Sequence, residues 1–249
     1  MVETAFSTAQ FEAIYPPGIE AHFWNHARNR MILRQLRLLP DGGRAGRVLE
    51  IGGGRGIVLA YLRQNGIDCR GIELSPIPVP ADLEPYLQTG ADCFDIPEDV
   101  RASVDCLLLL DVLEHLPDPV VFLSRLRVAF PNARALIITV PARQELWSNY
   151  DEYNGHFKRY TLASLGAELK ASGFCVIRAG YVFKALYPVM FVLTKLFGNR
   201  TTTISAPRGR ILHRLLAEAF VVESRLTPRA LWGTSVIATC TPESHGQGT

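Results

Sequence analysis

The chain has little of several features that mark particular protein classes. Among its 249 residues are only five cysteines, which stand singly without a C-x-x-C pair. Neither a disulfide framework nor a cysteine-paired zinc site is therefore predicted. Lys and Arg total 26 against 24 Asp and Glu, which excludes the bulk basic surface of a protein that neutralises many phosphates. Nucleic acid is not an expected partner.

The first ten residues lack the basic start and the apolar stretch of a signal peptide. We therefore expect a cytoplasmic protein, in which free cysteines are small buried residues. These cysteines are Cys69, Cys93, Cys106, Cys175 and Cys240.

Long hydrophobic runs are also scarce. The longest, at 181–197, is interrupted by Lys184, Pro188 and Lys195 and is shorter than the roughly twenty apolar residues that a membrane-spanning helix needs. Several basic residues follow it, and this composition suits a helix that lies on an anionic membrane or contacts a lipid-like substrate. A cap helix over the substrate cleft, or a dimer contact, is the alternative that we favour. The basic residues are Arg200, Arg208, Arg210, His213 and Arg214.

Glycine, in contrast, is concentrated in one turn. E-I-G-G-G-R-G begins at Glu50, between an apolar strand and an apolar helical pattern. Gly52, Gly54 and Gly56 permit positive φ angles and close approach of the backbone to a ligand. The dinucleotide fingerprint G-x-G-x-x-G needs a third glycine where this chain has isoleucine or leucine. The turn therefore predicts a cofactor site that is not specific for NAD.

This pattern resembles the first motif of class I S-adenosylmethionine (SAM)-dependent methyltransferases, an acidic residue followed by G-x-G-x-G. The resemblance implies that Glu50 orders the loop and faces the methionine end of SAM, with the glycines under the sulfonium and ribose. The residues predicted to bind SAM are Glu50, Gly52, Gly53, Gly54, Gly56, Glu73, Leu74, Asp92, Cys93 and Asp111.

Two later acids occupy the places that the family gives to carboxylates. Glu73 lies near the end of a predicted strand at 69–74, where a carboxylate can accept both ribose hydroxyls, and Leu74 would contact the adenine. Asp92 stands five residues before a proline, where the family has an acceptor for the adenine amino group. Asp95 is a rival, since either aspartate could instead cap a helix. Cys93 would offer its backbone amide.

A fourth strand at 104–110 is wholly apolar apart from one aspartate and ends at Asp111, as a parallel strand buried on both faces should. The D-V-L-E-H-L-P-D-P motif that follows resembles small-molecule methyltransferases, including the ubiquinone-biosynthesis O-methyltransferases. The aromatic-flanked proline pair of nucleobase methyltransferases is missing. The resemblance leaves a divalent metal open, held by Asp111, Glu114 and His115, with helix capping as the alternative.

The loop at 141–160 is the predicted acceptor site, because it follows the fifth strand at the edge where open α/β sheets bind ligands. Its G-H-F-K-R-Y-T stretch is similar to bacterial methyltransferases linked with surface polysaccharide or lipid pathways. His156 is our candidate general base, since an imidazole pKa near 6.5 suits proton removal at neutral pH. His115 is its rival, and a structural role is open for each. Lys158 and Arg159 could receive an anionic acceptor.

The N-terminal segment H-F-W-N-H-A-R resembles a lid in related sequences. Trp24 and Arg28 lie four apart on a predicted helix, and Arg28 could pair with the carboxylate of SAM. Packing of the helix on the sheet is the alternative.

Alternating strand and helix patterns predict an α/β fold: a Rossmann-like, doubly wound seven-stranded sheet, mostly parallel, with a helical N-terminal cap. The resemblance adds that the last strand is antiparallel. We predict one domain, comprising a cap at 1–40, a cofactor-binding core at 44–182, cap helices at 183–231 and a final strand at 232–241.

The predicted function is SAM-dependent methylation of a small molecule, most simply on oxygen, with a saccharide, lipid-linked or secondary-metabolite acceptor. Two alternatives come from other classes: an inactive SAM-binding regulatory module, and a nucleotide-dependent oxidoreductase. The predicted catalytic residues are His156 and His115.

Overall fold

The computed structural model describes residues 6–39, 46–198 and 207–243. The predicted boundary between the cap at 1–40 and the core at 44–182, and the basic residue Arg200, lie outside this range. Within it are nine α-helices and seven strands. The helices are α1 (Thr8–Ile14), α2 (Phe23–Arg37), α3 (Ile57–Gln64), α4 (Glu98–Ala102), α5 (Pro119–Ala129), α6 (Asn149–Tyr153), α7 (Leu162–Ala171), α8 (Leu186–Phe197) and α9 (Arg210–Leu226). The strands are β1 (Arg47–Ile51), β2 (Cys69–Glu73), β3 (Leu87–Thr89), β4 (Val104–Leu110), β5 (Ala135–Pro141), β6 (Phe174–Val182) and β7 (Ser235–Pro242).

The seven strands form one sheet in the order β3-β2-β1-β4-β5-β7-β6. Strands β1 to β5 pair in parallel, and β7 runs antiparallel to both β5 and β6. The predicted fold class is confirmed, including the antiparallel last strand. Strand order reverses between β1 and β4, and ligands bind outside the carboxyl ends of strands at such a switch point.

Strand β4 shows why the sheet must be covered on both faces. Leu107 and Leu109 belong to one hydrophobic cluster, whereas Cys106, Leu108 and Leu110 belong to another. Alternate side chains of a strand point to opposite faces. Both faces of β4 are therefore buried, as its apolar composition predicts.

Local signals set the helix bounds. Asp118 accepts a hydrogen bond from the backbone N–H of Val121 at 3.0 Å and places Pro119 at the first position of α5. Thr161 and Ser164 form a capping box at α7, which is followed by Gly173 at a φ of 77°.

Three expectations need correction. Cys175 is exposed, because it lies on β6 at the edge of the sheet, while the other four cysteines are buried. Strand β2 ends at Glu73 and leaves Leu74 outside it. The 141–160 segment is not all loop, since it contains a 3-10 turn at Gln144–Leu146 and helix α6.

The predicted N-terminal cap is present, with α1, a 3-10 turn at Ile19–Ala21 and α2. Helix α2 buries Met31, Ile32 and Leu36 in the cluster that also holds Phe220 of α9. No helix in the described part of the chain has the length and apolarity that crossing a membrane requires.

Candidate active site

A cavity of about 590 Å³ opens at the carboxyl ends of the parallel strands. It is lined by the turn after β1, the ends of β2 and β4, the 141–160 segment and parts of α1, α2 and α8. Every residue in our predicted site except Gly56 lines it. Gly56 instead begins α3 at a φ of 75°, and a Cβ there would lie 2.8 Å from the Leu83 side chain. Packing accounts for that glycine.

The glycine turn is shaped by its backbone. The N–H groups of Gly52 and Gly53 donate to the Ile72 carbonyl at 2.9 and 3.1 Å, which ties the turn to β2. Gly52 and Gly54 have φ angles of 75° and 53°, a backbone conformation that residues other than glycine rarely adopt. A Cβ at Gly54 would lie 2.5 Å from the Tyr15 hydroxyl. The turn is therefore a cradle that side chains would fill.

Glu50 lies at the end of β1 and is buried, with Oε2 lacking a hydrogen-bond partner among the described residues. Burial raises the pKa of this carboxyl to about 8, against the charge of Arg28, which lowers it. A buried, unpaired carboxyl oxygen suits a ligand group that donates hydrogen bonds or carries positive charge. The ammonium at the methionine end of SAM is such a group.

Glu73 faces the cavity from the end of β2. Its Oε2 accepts the N–H of Gly54 and its Oε1 accepts that of Ser75, both at 2.9 Å. These two hydrogen bonds leave free lone pairs on both oxygens, because a carboxylate can accept about four hydrogen bonds. Glu73 therefore fixes the glycine turn and remains able to accept ribose hydroxyls. Leu74 is exposed and lines the same wall.

Asp92 and its rival Asp95 occupy different places. Asp92 lines the cavity, whereas Asp95 is not among the described lining residues. Asp92 also caps the following turn, since its Oδ1 accepts the N–H of Phe94 at 3.0 Å. Asp92 therefore both caps this turn and lines the cavity. Cys93 lines the cavity beside it.

Asp111 directly follows β4 and has a φ of 58°. It forms an ion pair with Arg28 and accepts a hydrogen bond from the Thr139 hydroxyl at 3.2 Å. Arg28 also stacks over the Trp24 ring, 4.3 Å from its centroid. Arg28 lines the cavity as well as pairing with Asp111, and its pairing with the SAM carboxylate stays a prediction. The ion pair with Asp111 fastens the cap helix to the end of β4.

In the 141–160 segment, which is the predicted acceptor site, His156 is held by a buried carboxylate. Its Nδ1 lies 2.9 Å from Oδ1 of Asp151, a fully buried residue that also accepts the Arg159 guanidinium at 2.8 and 3.1 Å. Burial alone would raise the pKa of Asp151, but its bonds to His156 and Arg159 outweigh burial and lower it. An ionised carboxylate only accepts, so Nδ1 of His156 carries the proton and Nε2 is left as an acceptor.

Two further groups pack against His156. The His115 ring meets it edge to face, with centroids 4.7 Å apart, and burial, then His156, lowers the pKa of His115 to about 3. Glu114 is buried with Oε2 unpaired among the described residues, and burial, then the charge of Asp111, raises its pKa. The Glu114 carbonyl accepts the N–H of Phe157 at 2.7 Å, which ties the 141–160 segment to the end of β4.

This grouping changes the possible metal ligands. One ligand atom from each of Glu114, His115 and His156 lies within 4.8 Å of the others. Asp111, which the sequence grouped with Glu114 and His115, is absent from the set and is paired with Arg28. A divalent metal would therefore draw on the 141–160 segment as well as the strand-four motif. The same three groups also suit hydrogen-bond and proton-transfer chemistry without a metal.

The predicted anion-binding pair is engaged within the protein. Lys158 forms an ion pair with Glu168 of α7, and Arg159 forms one with Asp151. Arg159 nevertheless lines the cavity, and binding of an anionic acceptor by this pair stays a prediction. Sequence reasoning assigned no role to Asp151 or to Tyr15, although both contact the site. Asp151 lies five and eight residues before its partners, a spacing that carries no recognised motif.

The chain was compared with known proteins. The profile of one family, described as a methyltransferase domain, matches residues 23–179. Two ubiquinone biosynthesis O-methyltransferases are 27% identical: one of Pseudomonas aeruginosa (strain UCBPP-PA14) over 64% of this chain, and one of Pseudomonas entomophila (strain L48) over 49%. The chain spans 68% of the first relative and half of the second.

Solved structures show the same fold. The plantazolicin methyltransferase BpumL, solved in complex with S-adenosylhomocysteine (SAH), is 14% identical. It covers 95% of this chain, which covers 88% of it, with a TM-score of 0.56.

Proposed function

The chain belongs to the methyltransferase-domain family, and on that premise we propose that it transfers a methyl group from SAM to a hydroxyl of a small-molecule acceptor. The observation that carries the proposal is one cavity lined both by the glycine cradle with Glu50 and Glu73 and by a histidine whose Nδ1 is fixed by Asp151. Membership confirms the predicted resemblance to SAM-dependent methyltransferases and favours methyl transfer over the oxidoreductase alternative.

The donor is held by the groups that already shape the cradle. Glu73 would accept the ribose hydroxyls, Glu50 the methionine ammonium, and Asp92 the adenine amino group. SAM supplies a methyl group on a sulfonium, a good leaving group, so the protein contributes placement and exclusion of water more than covalent chemistry. Glu50 is neutral at pH 7 when its pKa is about 8, and a cation beside it would favour its ionised form.

His156 would act as the general base on the acceptor. Its Nε2 would accept the hydroxyl proton, and the resulting imidazolium would be stabilised by the Asp151 carboxylate at 2.9 Å. Asp151 is a positioning residue, because it sets the tautomer and is itself held by Arg159. His115 is the weaker candidate, since a pKa near 3 leaves it little tendency to take a proton at neutral pH.

The two curated relatives are named for O-methylation in ubiquinone biosynthesis, which supports oxygen as the methylated atom. The cavity wall is mixed in character, with Phe6, Ile14, Leu146 and Met190 beside the polar groups. An acceptor with an apolar body and a hydroxyl suits such a wall. Phenols and lipid-linked saccharides are the classes that we propose to test first.

His156→Asn tests this assignment. Asparagine can still donate to Asp151 but has no counterpart of Nε2, so turnover should fall about 10²–10⁴-fold while SAM affinity stays within about twofold. SAH release would be measured with phenols, free monosaccharides and lipid-linked saccharides, and SAM affinity by calorimetry. His26→Asn is the matched control, because His26 lies on α2 and does not line the cavity.

Unchanged turnover in His156→Asn would move the base elsewhere, with His115→Asn as the next variant to measure. The inactive-module alternative predicts a different result. It requires that the unaltered protein bind SAM but release no SAH, even slowly, with every acceptor class.

A further inference from the structure

One part of the apolar surface of helix α8 faces the cavity, and the neighbouring part is exposed. Leu186 and Met190 line the cavity, which fits the favoured reading of this tract as a cap. Four more apolar residues recur every three or four positions along the helix and so form one stripe. Each is at least two-fifths exposed, and no residue of α8 is buried. The stripe consists of Val189, Val192, Leu193 and Leu196.

Helix α9 repeats this arrangement. Ala217, Phe220 and Val221 are buried in the core. The opposite side carries exposed apolar residues towards both ends of the helix, with Glu218 between them, and the end residues Ile211 and Leu226 are 77% and 79% exposed. The stripe consists of Ile211, Leu215, Val222 and Leu226. Exposed apolar stripes on two helices are unusual for a surface that meets only water.

The charges around the two stripes are mostly positive. Helix α8, all of which the structure describes, carries Lys195 and no acid. The start of α9 has Arg210 and Arg214, with Arg208 just before it. The first acid on α9 is Glu218, which forms an ion pair with Arg30. Each helix therefore combines an exposed apolar stripe with positive charge, which on α9 is concentrated at its start.

From this combination we propose that the exposed stripes of α8 and α9 dock on an anionic phospholipid bilayer. The apolar side chains would enter the boundary between headgroups and acyl chains, and the cations would contact anionic headgroups. A second copy of the chain fits less well, because a two-fold interface would bring together two copies of a surface that carries an excess of positive charge. The docking does not depend on methyl transfer. It would place the α8 wall of the cavity beside the lipid phase.

The first measurement is co-sedimentation of the full chain with vesicles. Vesicles of phosphatidylcholine containing phosphatidylglycerol should bind the protein at least about tenfold more tightly than vesicles of phosphatidylcholine alone. Val192→Asp places a charge in the stripe and should weaken binding about tenfold. Val128→Asp is the matched control, because Val128 is a 76% exposed valine on α5.

The double variant Arg210→Glu and Arg214→Glu should also weaken binding and remove the preference for the anionic vesicles. SAM calorimetry on each variant shows that the fold is intact and reports on the proposed function separately. The proposal is overturned if the unaltered chain does not bind the anionic vesicles, or if Val192→Asp and Val128→Asp lose binding equally. It is also overturned if sedimentation velocity shows a dimer that Val192→Asp dissociates while vesicle binding is absent.

Discussion

The two sides of the cavity are built in different ways. The donor side, which we define as Glu50, the turn 52–54 and Glu73, is shaped by backbone: two N–H groups bond to one carbonyl, and Glu73 accepts two more. The acceptor side, which we define as Glu114, His115, Asp151, His156 and Arg159, is held mainly by contacts between side chains.

Backbone geometry of this kind depends on a short local sequence, so the donor side can be read from glycine spacing. Side-chain networks depend on tertiary contacts, so the acceptor side can differ between relatives on the same fold. The comparison predicts that damage to one side should leave the other largely working, which the following variants test.

Asp151→Asn should have the largest effect, and it should be confined to the acceptor side. Removing the carboxylate leaves the Arg159 charge, whose side chain is 7% exposed, without its partner, and breaking a buried pair costs about 3–5 kcal/mol. The free energy of unfolding would be measured by urea denaturation. Glu218→Gln, in an exposed pair with Arg30, is the control and should change it by less than about 1 kcal/mol.

SAM affinity of Asp151→Asn sharpens the same comparison. It should stay within about threefold of the unaltered value, because Asp151 makes no described contact with the glycine turn. Equal losses of stability in Asp151→Asn and Glu218→Gln would show that the buried network does not hold the acceptor side.

Gly54→Trp should damage the donor side alone. A Cβ at this position would lie 2.5 Å from the Tyr15 hydroxyl and the φ angle is 53°, so the indole must enter the cradle. We expect SAM affinity to fall at least about a hundredfold, or roughly 2.7 kcal/mol. Gly66→Trp is the control, because Gly66 also has a positive φ but no heavy atom within 4 Å of its missing Cβ. Tight SAM binding by Gly54→Trp would place the donor elsewhere.

Acid should weaken the acceptor side through His115. Its pKa is about 3 in the folded chain against about 6.5 when unfolded, so the unfolded state takes up the proton first. Stability is present above the unfolded value and is lost as pH falls from about 6.5 towards 3, with about 2 kcal/mol lost between pH 7 and 5. Glu114, whose pKa is raised, contributes with the opposite sign.

The difference between the unaltered chain and His115→Asn isolates this contribution. Urea denaturation from pH 7 to pH 5 should give a shallower loss of stability in the variant. Parallel pH profiles for the two proteins would mean that His115 is not held neutral by burial.

Much of the donor side could be predicted from the sequence. The apolar run of β4, the E-x-G-x-G-x-G turn and Glu73 are local patterns, and the structure brings them to one edge of the sheet. The choice between Asp92 and Asp95 could not be made, because both are near the start of a turn and only the fold places one of them in the cavity wall.

The acceptor side was less predictable for a physical reason. Asp151 was visible in the sequence but its contact with His156 arises from the fold of the 141–160 segment, whose capping box at Ser148 fixes the carboxylate. Likewise, Arg28 and Asp111 are 83 residues apart, and no spacing rule joins them. The exposure of Cys175 follows from the edge position of β6, which the sequence does not reveal.

A crystal structure of the full chain with SAH tests the central claim most directly, since it locates the donor relative to His156. We predict that the ribose hydroxyls bond to Glu73, that the backbone of 52–54 contacts the ligand, and that its sulfur faces the part of the cavity lined by His156. SAH bound away from the glycine turn, or with the sulfur turned from His156, would contradict the account.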